Sequence, residues 1–334
     1  RRGLVRVLFW GTPAYAVPTL EALHGAGHQI VGVVTQPDRR RGRGSSLMPS
    51  PVKARALELI GDVPVLTPQR IRREPETQEQ LVALQADLSV VVAFGQLLPP
   101  EVLQQPPLGC WNGHGSLLPR WRGAGPIQWC LMEGDAQTGV GIMAMEPGLD
   151  TGPVLLQRSL EIQLLETAAG LAERLSHLTA ELFVQALPQI EAAGPGPEAE
   201  RLSRLGVTPQ SDAGITLARL LTKDDYRLDW SERALAIHRK VMGLFPGAHC
   251  SWRGKRLKVL ATEPLVARLA DQLSPEAAAL SRRQWPSAEP GSILEAVRGV
   301  GLVLATSGCP ILLRQAQLEG KAASSGDSLI QQLS

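Results

Sequence analysis

Asn112 and His114 stand two residues apart in Trp111-Asn-Gly-His-Gly-Ser-Leu-Leu-Pro-Arg-Trp-Arg-Gly123, directly after the apolar run Leu108–Trp111. Side chains in extended chain repeat every second residue, so an amide and an imidazole at this spacing point the same way. Gly113 and Gly115 leave space beside them. Asp150 follows in Met145-Glu-Pro-Gly-Leu-Asp-Thr-Gly152, after another strand-like run. An Asp between glycines is ordinarily a turn residue that hydrogen-bonds local backbone. Its chemical value depends on whether it reaches the same sheet edge as Asn112 and His114. Together the three offer an oxyanion donor, a proton acceptor and a charge that orients the imidazole. A substrate that brings its own nucleophile needs no Ser or Cys here. One His and one Asp fall short of the three protein ligands of a catalytic zinc, so metal is the weaker alternative and none is expected. The remaining histidines, His24, His28, His177, His238 and His249, stand singly and read as structural or solvated.

The elements that must position these groups are legible in the apolar runs. Leu4–Trp10 is a strand that breaks at Gly11-Thr12-Pro13, and a helical pattern follows from Tyr15 to Ala26. Gln29–Thr35, Val52–Ile60, Val63–Leu66, Gln78–Leu84 and Leu88–Ala93 continue the alternation of strand and helix. That order predicts βαβ units, and strands as uniformly apolar as Leu88–Ala93 suit a sheet covered on both faces. Thr138–Met145 and Val154–Arg158 read as further strands, and Glu166–Ile190 as a long amphipathic helix in which Pro188 ends or kinks the pattern. Ala193-Gly-Pro-Gly-Pro-Glu198 is a break, so the division expected is a first domain at 1–193, a linker at 194–215 and a second domain at 216–334. The second holds a helix at Ser231–Met242. Short strands at His249–Trp252, Arg256–Ala261, Ser292–Ala296, Val300–Ala305 and Ile311–Ala316 predict a small β-barrel, with Ala267–Ser287 as a helical insertion.

Parallel α/β sheets bind ligands beyond the carboxyl ends of their strands. The first such turn is Gly11-Thr-Pro, not G-x-G-x-x-G, and no G-x-x-x-x-G-K-[ST] occurs, which removes the usual signatures of nicotinamide and ATP chemistry. The 334 residues carry a net charge of +2, so overall charge does not select a nucleic-acid partner. Charge is instead local. Gln36-Pro-Asp-Arg-Arg-Arg-Gly-Arg-Gly-Ser-Ser-Leu-Met-Pro-Ser-Pro-Val-Lys53 carries five cations against one anion and is too long for an ordinary strand–helix connection. Arginines in such a loop suit the phosphates of a nucleic acid, and Arg70, Arg72 and Arg73 extend the same charge. The four cysteines, Cys110, Cys130, Cys250 and Cys309, form no C-x-x-C pair, which argues against a disulfide framework or zinc ribbon and for a reducing compartment. No run approaches the ~18 apolar residues of a membrane span, nor does the start carry the apolar run of a signal peptide. A cytoplasmic protein with no membrane contact is expected. Arg1 is not an initiator methionine, so a few preceding residues are expected to be missing or trimmed.

Across nearly its whole length the chain resembles the methionyl-tRNA formyltransferases, a branch of the 10-formyltetrahydrofolate-dependent formyltransferases. The resemblance is carried by Gly11-Thr-Pro, the arginine loop from Gln36 to Lys53, Asn112-x-His-x-Ser-Leu-Leu-Pro-Arg-Trp-Arg-Gly123 and Gly148-Leu-Asp-Thr-Gly152. It implies an α/β fold: a Rossmann-like, doubly wound, mostly parallel sheet with a C-terminal OB-like β-barrel domain that helps hold tRNA. It implies formyl transfer from 10-formyltetrahydrofolate, as co-substrate and without metal, to the α-amino group of methionyl initiator tRNA in translation initiation. Asn112, His114 and Asp150 are then the catalytic residues that stabilise the tetrahedral intermediate and move protons. Either His114 or Asp150 could deliver the final proton. Ser116, Leu117, Leu118 and Pro119 fall in the folate site. Phe94, Gly95, Leu97 and Met145 are candidates for the slot that a flat pterin requires. Arg39, Arg40, Arg41 and Arg43 are expected on tRNA, with Arg43 foremost. No obligate protein partner is expected, and the chain is read as a monomer.

The sequence departs from the family pattern at Gly113, where Val is usual, and at Ser45-Ser46, where basic residues are common. Position 113 points away from Asn112 and His114, so changed packing is expected rather than lost chemistry. Arg40 and Arg41 stand where the family often has Pro and a small residue. They offset the missing loop charge. Two competing readings remain. A formyltransferase for a small amine explains the triad equally but the arginine loop poorly, and a non-catalytic RNA-binding protein has only Gly113 in its favour.

Overall fold

The computed structural model describes residues 3–40, 44 and 46–334. Seven strands form the first sheet: β1 (Arg6–Gly11), β2 (Gln29–Val34), β3 (Val65–Leu66), β4 (Leu88–Val92), β5 (Cys110–His114), β6 (Gln137–Ala144) and β7 (Val154–Glu161). Their spatial order is β7-β6-β5-β4-β1-β2-β3. The pairs β1–β2, β1–β4, β2–β3 and β4–β5 are parallel and β5–β6 is antiparallel. The chain order therefore reverses between β2 and β4 on either side of β1, as a doubly wound sheet requires.

The apolar runs become strands because both faces of the sheet are covered. Val7, Leu8, Phe9 and Trp10 of β1 are all buried, as is every residue of β4. The one polar atom of the Trp10 side chain donates to Ser89 Oγ at 3.1 Å, and its ring meets Phe94 edge-on with centroids 5.1 Å apart. Gly11 ends β1 where space runs out, since a Cβ there would lie 2.7 Å from Ala16 Cβ and 2.8 Å from the Val92 carbonyl oxygen.

The chain divides into two compact units that are not contiguous in sequence. The first comprises 1–123, 138–160 and 172–218, and the second 124–137, 161–171 and 219–334. Residues 194–215, read from the sequence as a linker, contain the helix Glu198–Leu205. Arg201 of this helix donates to the Leu108 and Gly196 carbonyls at 3.1 Å each, and Thr208 bridges to Val154, so the segment packs onto the first unit. The long helix runs from Ala168 to Ala193 with Pro188 inside it rather than at its end.

In the second unit β8 (His249–Trp252), β9 (Lys255–Pro264), β10 (Ile293–Val297), β11 (Gly301–Leu304) and β12 (Ile311–Leu318) form an antiparallel sheet in the order β8-β9-β12-β11-β10. Arg253 and Gly254 both have positive φ, 47° and 79°, the geometry of a tight two-residue hairpin between β8 and β9. Ile237, Val241, Leu257, Val259, Leu302 and Leu313 share one core beneath the helix Ala234–Gly243. That helix also carries His238, which is fully buried. Its Nε2 donates to the Leu164 carbonyl at 2.7 Å and its Nδ1 accepts from Thr262 Oγ1 at 2.8 Å, both as the neutral imidazole.

Burial pushes His238 down to about 4. Below about pH 6.5 the unfolded chain takes up a proton that the folded chain refuses until about pH 4. Stability contributed by this residue is therefore lost as pH falls across that window, by up to roughly 3 kcal/mol. Urea midpoints measured from pH 7 to 4 should fall more steeply for the native protein than for His238→Gln, which cannot titrate.

Candidate active site

The sheet brings the three chemically promising residues together. Asn112 and His114 occupy the carboxyl-terminal half of β5, with Asn112 opposite Val91 of β4 and Met143 of β6. His114 is buried, and its Nε2 lies 2.8 Å from the Trp121 carbonyl oxygen. A carbonyl only accepts, so this nitrogen carries the hydrogen. The other ring nitrogen, Nδ1, faces Asp150 Oδ2 at 3.6 Å. The same carboxylate oxygen accepts the Gly123 backbone N–H at 2.8 Å. The Asn112 side-chain oxygen is buried with no hydrogen-bond partner within the protein. Because amide oxygen and nitrogen exchange places by a flip, one end of this group is left for a ligand.

Local backbone explains how these positions arise. Asp150 has φ 54°, a left-handed conformation that Asp tolerates, at the tip of the loop between β6 and β7. A Cβ at Gly152 would collide with the Ala144 carbonyl oxygen, so only glycine lets the loop close beside β6. Trp121 is also left-handed, at φ 59°, and turns its carbonyl toward His114. This turn is pinned from outside: Trp121 N–H donates to Thr216 Oγ1 at 2.8 Å and Arg122 N–H to the Thr216 carbonyl at 2.9 Å. Trp121 and Gly123 stand inside the Asn112–Gly123 signature without a role readable from their types, and Thr216 and Gln210 lie outside every motif. Backbone donors and acceptors carry no side-chain signature, and Thr216 lies about a hundred residues from its partners.

The expected folate residues fall in several surroundings. Ser116 is buried and its hydroxyl donates to the Arg120 carbonyl at 2.6 Å. Leu118 is buried, while Leu117 and Pro119 are half-buried on the same turn. Phe94 packs its ring into the core, and its carbonyl accepts from Thr12 Oγ1 at 2.9 Å and Gln36 Nε2 at 3.2 Å. Gly95 has φ 98°, and a Cβ there would lie 2.9 Å from Gln36 Nε2. Leu97 is exposed. Met145 lines a cavity of about 400 Å³ together with Leu103, Cys110, Trp111, Glu146 and Arg201. Burial pushes the Cys110 thiol up to about 12, so it is not a nucleophile there. Among the described residues no group of three or more His, Cys, Asp or Glu side chains could hold a metal ion.

Of the loop arginines, Arg39 and Arg40 are exposed on a short antiparallel ladder with Leu47–Met48. Arg41, Arg43 and Ser45 lie outside the described residues. The base of the loop is anchored: Ser50 caps the helix Pro51–Ile60 through the Lys53 N–H, and Lys53 Nζ pairs with Asp38 at 3.1 Å.

A mixed, mostly parallel sheet carrying an amide and an imidazole toward the carboxyl end of β5 with a carboxylate facing the imidazole, followed by an antiparallel β unit, agrees with comparison to known proteins. Residues 5–187 match the family model of formyl transferase and residues 220–334 that of the formyl transferase C-terminal domain. The chain belongs to the formyl transferase family. It is 94% identical over 330 residues to the methionyl-tRNA formyltransferase of Synechococcus sp. (strain RCC307), covering 99% of this chain and 100% of that protein. It is 68% identical to the methionyl-tRNA formyltransferase of Synechococcus sp. (strain WH7803), covering 98% and 96%. Two solved structures share the fold. One is WlaRD, a sugar 3N-formyl transferase, at TM-score 0.63 and 15% identity over 96% of this chain and 99% of that one. The other is HypX from Aquifex aeolicus in complex with tetrahydrofolic acid, at TM-score 0.62 and 15% identity over 98% and 47%. No helix among the described residues is long and apolar enough to cross a membrane.

Gly113 faces the helix Ala168–Ala193, opposite Asn112 and His114, as the period of a strand requires. A Cβ there would lie 2.6 Å from Thr179 Cγ2 and 2.8 Å from Phe183 Cε2. Gly113→Val should therefore lower stability by about 1–3 kcal/mol through overpacking. Adding Phe183→Leu should recover part of that loss, and urea midpoints of the two variants measure it.

Proposed function

We propose that this chain transfers a formyl group from 10-formyltetrahydrofolate to the α-amino group of methionyl initiator tRNA, and that Asn112, His114 and Asp150 carry the chemistry. Family membership supports the reaction. The observation that carries the residue assignment is the His114–Asp150 pair beside the partnerless Asn112 oxygen, all at one edge of the sheet.

Bound 10-formyltetrahydrofolate supplies an electrophilic formyl carbon and a nitrogen that leaves as an amine. The residues present fit such a group. A cavity of about 400 Å³ walled by both apolar side chains, among them Leu103, Trp111 and Met145, and polar ones, among them Gln104, Glu146 and Arg201, suits a pterin ring, and the Met145–Asp150 loop leads from its wall to Asp150. Asn112 donates its amide to the oxygen on which negative charge develops. An oriented donor of this kind is worth about 10²–10³ in rate. With Nε2 of His114 committed to the Trp121 carbonyl, proton movement runs on the Nδ1 side, toward Asp150. The pair takes the proton that the attacking amine sheds and holds it for the departing nitrogen. Arg39, Arg40, Arg41 and Arg43 meet phosphates of the tRNA, the C-terminal stretch 216–334 adds to that grip, and 1–193 holds the chemistry.

Transfer of labelled formyl to methionyl initiator tRNA, with uncharged tRNA, elongator methionyl-tRNA and free methionine as controls, tests the reaction. Transfer to the charged initiator alone is expected. Folate binding without transfer would redirect the acceptor to a small amine, and absence of folate binding would sink the reading. Asn112→Ala and Asp150→Asn should each lower kcat by about 10²–10³-fold with folate still bound. Arg39→Ala and Arg40→Ala should raise KM for tRNA and each flatten its log–log salt dependence by about 0.7–0.9.

A further inference from the structure

We propose that Gln210 is a positioning residue for the His114–Asp150 pair, clamping the Asp150 loop to the Trp121–Gly123 turn. The inference rests on the formyl-transfer reading only for its kinetic test.

Asp150 sits at φ 54°, a left-handed conformation that Asp tolerates. Gln210 holds the loop on both sides of that turn. Its Nε2 donates to the Asp150 carbonyl at 2.7 Å and to the Gly152 carbonyl at 2.8 Å, gripping the loop on both sides of Thr151. Its Oε1 accepts from Arg122 Nε at 3.1 Å and Nη2 at 2.9 Å, the two prongs of one guanidinium fork. Both hydrogens and the oxygen of the amide are thereby used.

The two ends of this bridge are the two structures the pair depends on. The Asp150 loop delivers the carboxylate. The turn containing Arg122 delivers both of the pair's other partners, the Trp121 carbonyl to His114 Nε2 and the Gly123 N–H to Asp150 Oδ2. Gln210, Arg122, Gly123 and Asp150 therefore close a ring of hydrogen bonds that includes the carboxylate facing His114 Nδ1 at 3.6 Å. Gln210 makes no bond to Asn112, His114 or the Asp150 carboxylate itself, so its action is indirect. Its place in a stretch that reads as a linker explains why nothing in the sequence singles it out.

The test uses Gln210→Leu, which removes every bond, and Gln210→Glu, which can still accept from Arg122 but cannot donate to the two carbonyls. Both should lower kcat by about 10–10²-fold while KM for folate and for tRNA stays within about threefold, the signature of misplaced reacting groups rather than lost binding. In an Asp150→Asn background Gln210→Leu should cost less than about twofold, because residues acting through one another are not additive. In folate-free protein, amide exchange at Gly123 should accelerate about tenfold or more while Val90 and Val91 in β4 keep their protection. Full additivity with Asp150→Asn, or unchanged Gly123 exchange, would overturn the proposal. Should the Leu variant fail to fold, the Glu variant decides by the same readouts. Inactivity of the native protein would instead overturn the formyl-transfer reading, and Gly123 exchange would still decide the clamp.

Discussion

A backbone carbonyl can only accept a hydrogen bond, and the Trp121 carbonyl pressed 2.8 Å from His114 Nε2 fixes which ring nitrogen is free for chemistry. Everything around the pair follows from that commitment. The hydrogen on Nε2 leaves Nδ1 facing Asp150, and the carboxylate can stay there only because Gly123 N–H satisfies one of its oxygens. Asp150 is half-buried, and a carboxylate partly withdrawn from water is costly without such a donor. The turn that presents both Trp121 and Gly123 needs two residues at positive φ, 59° and 118°, and draws its stability from Thr216 and the pairing of Leu217–Ala218 with Arg122–Gly123.

The loops beyond β1, β2 and β4 obey the same economy of polar atoms. The carbonyl of Phe94, beyond the end of β4, accepts from Thr12 after β1 and from Gln36 after β2. Gln96 then donates to Gln36 and to the Pro68 carbonyl, and accepts the Ile71 N–H. Loops from the ends of three parallel strands are tied by side-chain amides where no ladder reaches. This is the switch point of the sheet, where loops diverge and a ligand can enter. Gly11 and Gly95 let the tied loops approach closely, and a side chain at either would force them apart.

What was legible in the sequence is what periodicity and local sterics determine. The apolar runs fixed nearly every strand of both sheets, and the two-residue spacing put Asn112 and His114 on one face and Gly113 on the other. Asp150 read as a turn residue and is one, with a left-handed φ, yet its carboxylate is also aimed at His114. Long-range backbone partners were illegible. Gln210 and Arg201 are ordinary polar residues in a stretch whose glycines and prolines announce a linker, Thr216 stands just beyond it, and their roles exist only once residues far away in the chain are brought to them. Unit membership was hidden for a similar reason. The helix Pro126–Met132 packs against Gly243, where a Cβ would sit 2.9 Å from the Gln128 carbonyl, and such a close approach leaves no trace in local composition.

Charge shows why a whole-chain balance says little about a partner. The net of +2 is a sum over a surface much wider than the Debye length of about 8–10 Å, beyond which exposed charges are screened from one another. A tRNA phosphate therefore senses only the cations near it. Within the loop from Gln36 to Lys53 the single acidic residue, Asp38, is already engaged by Lys53 at 3.1 Å. That pair cancels at the loop's base, where Ser50 also caps the helix and accepts or donates to Thr35 Oγ1 at 2.6 Å. The charge that remains belongs to arginines alone, and the two described, Arg39 and Arg40, are exposed. Pairing at the base thus does two things at once: it holds the ends of a long connection, and it removes the one anion that would weaken an arginine's pull on phosphate.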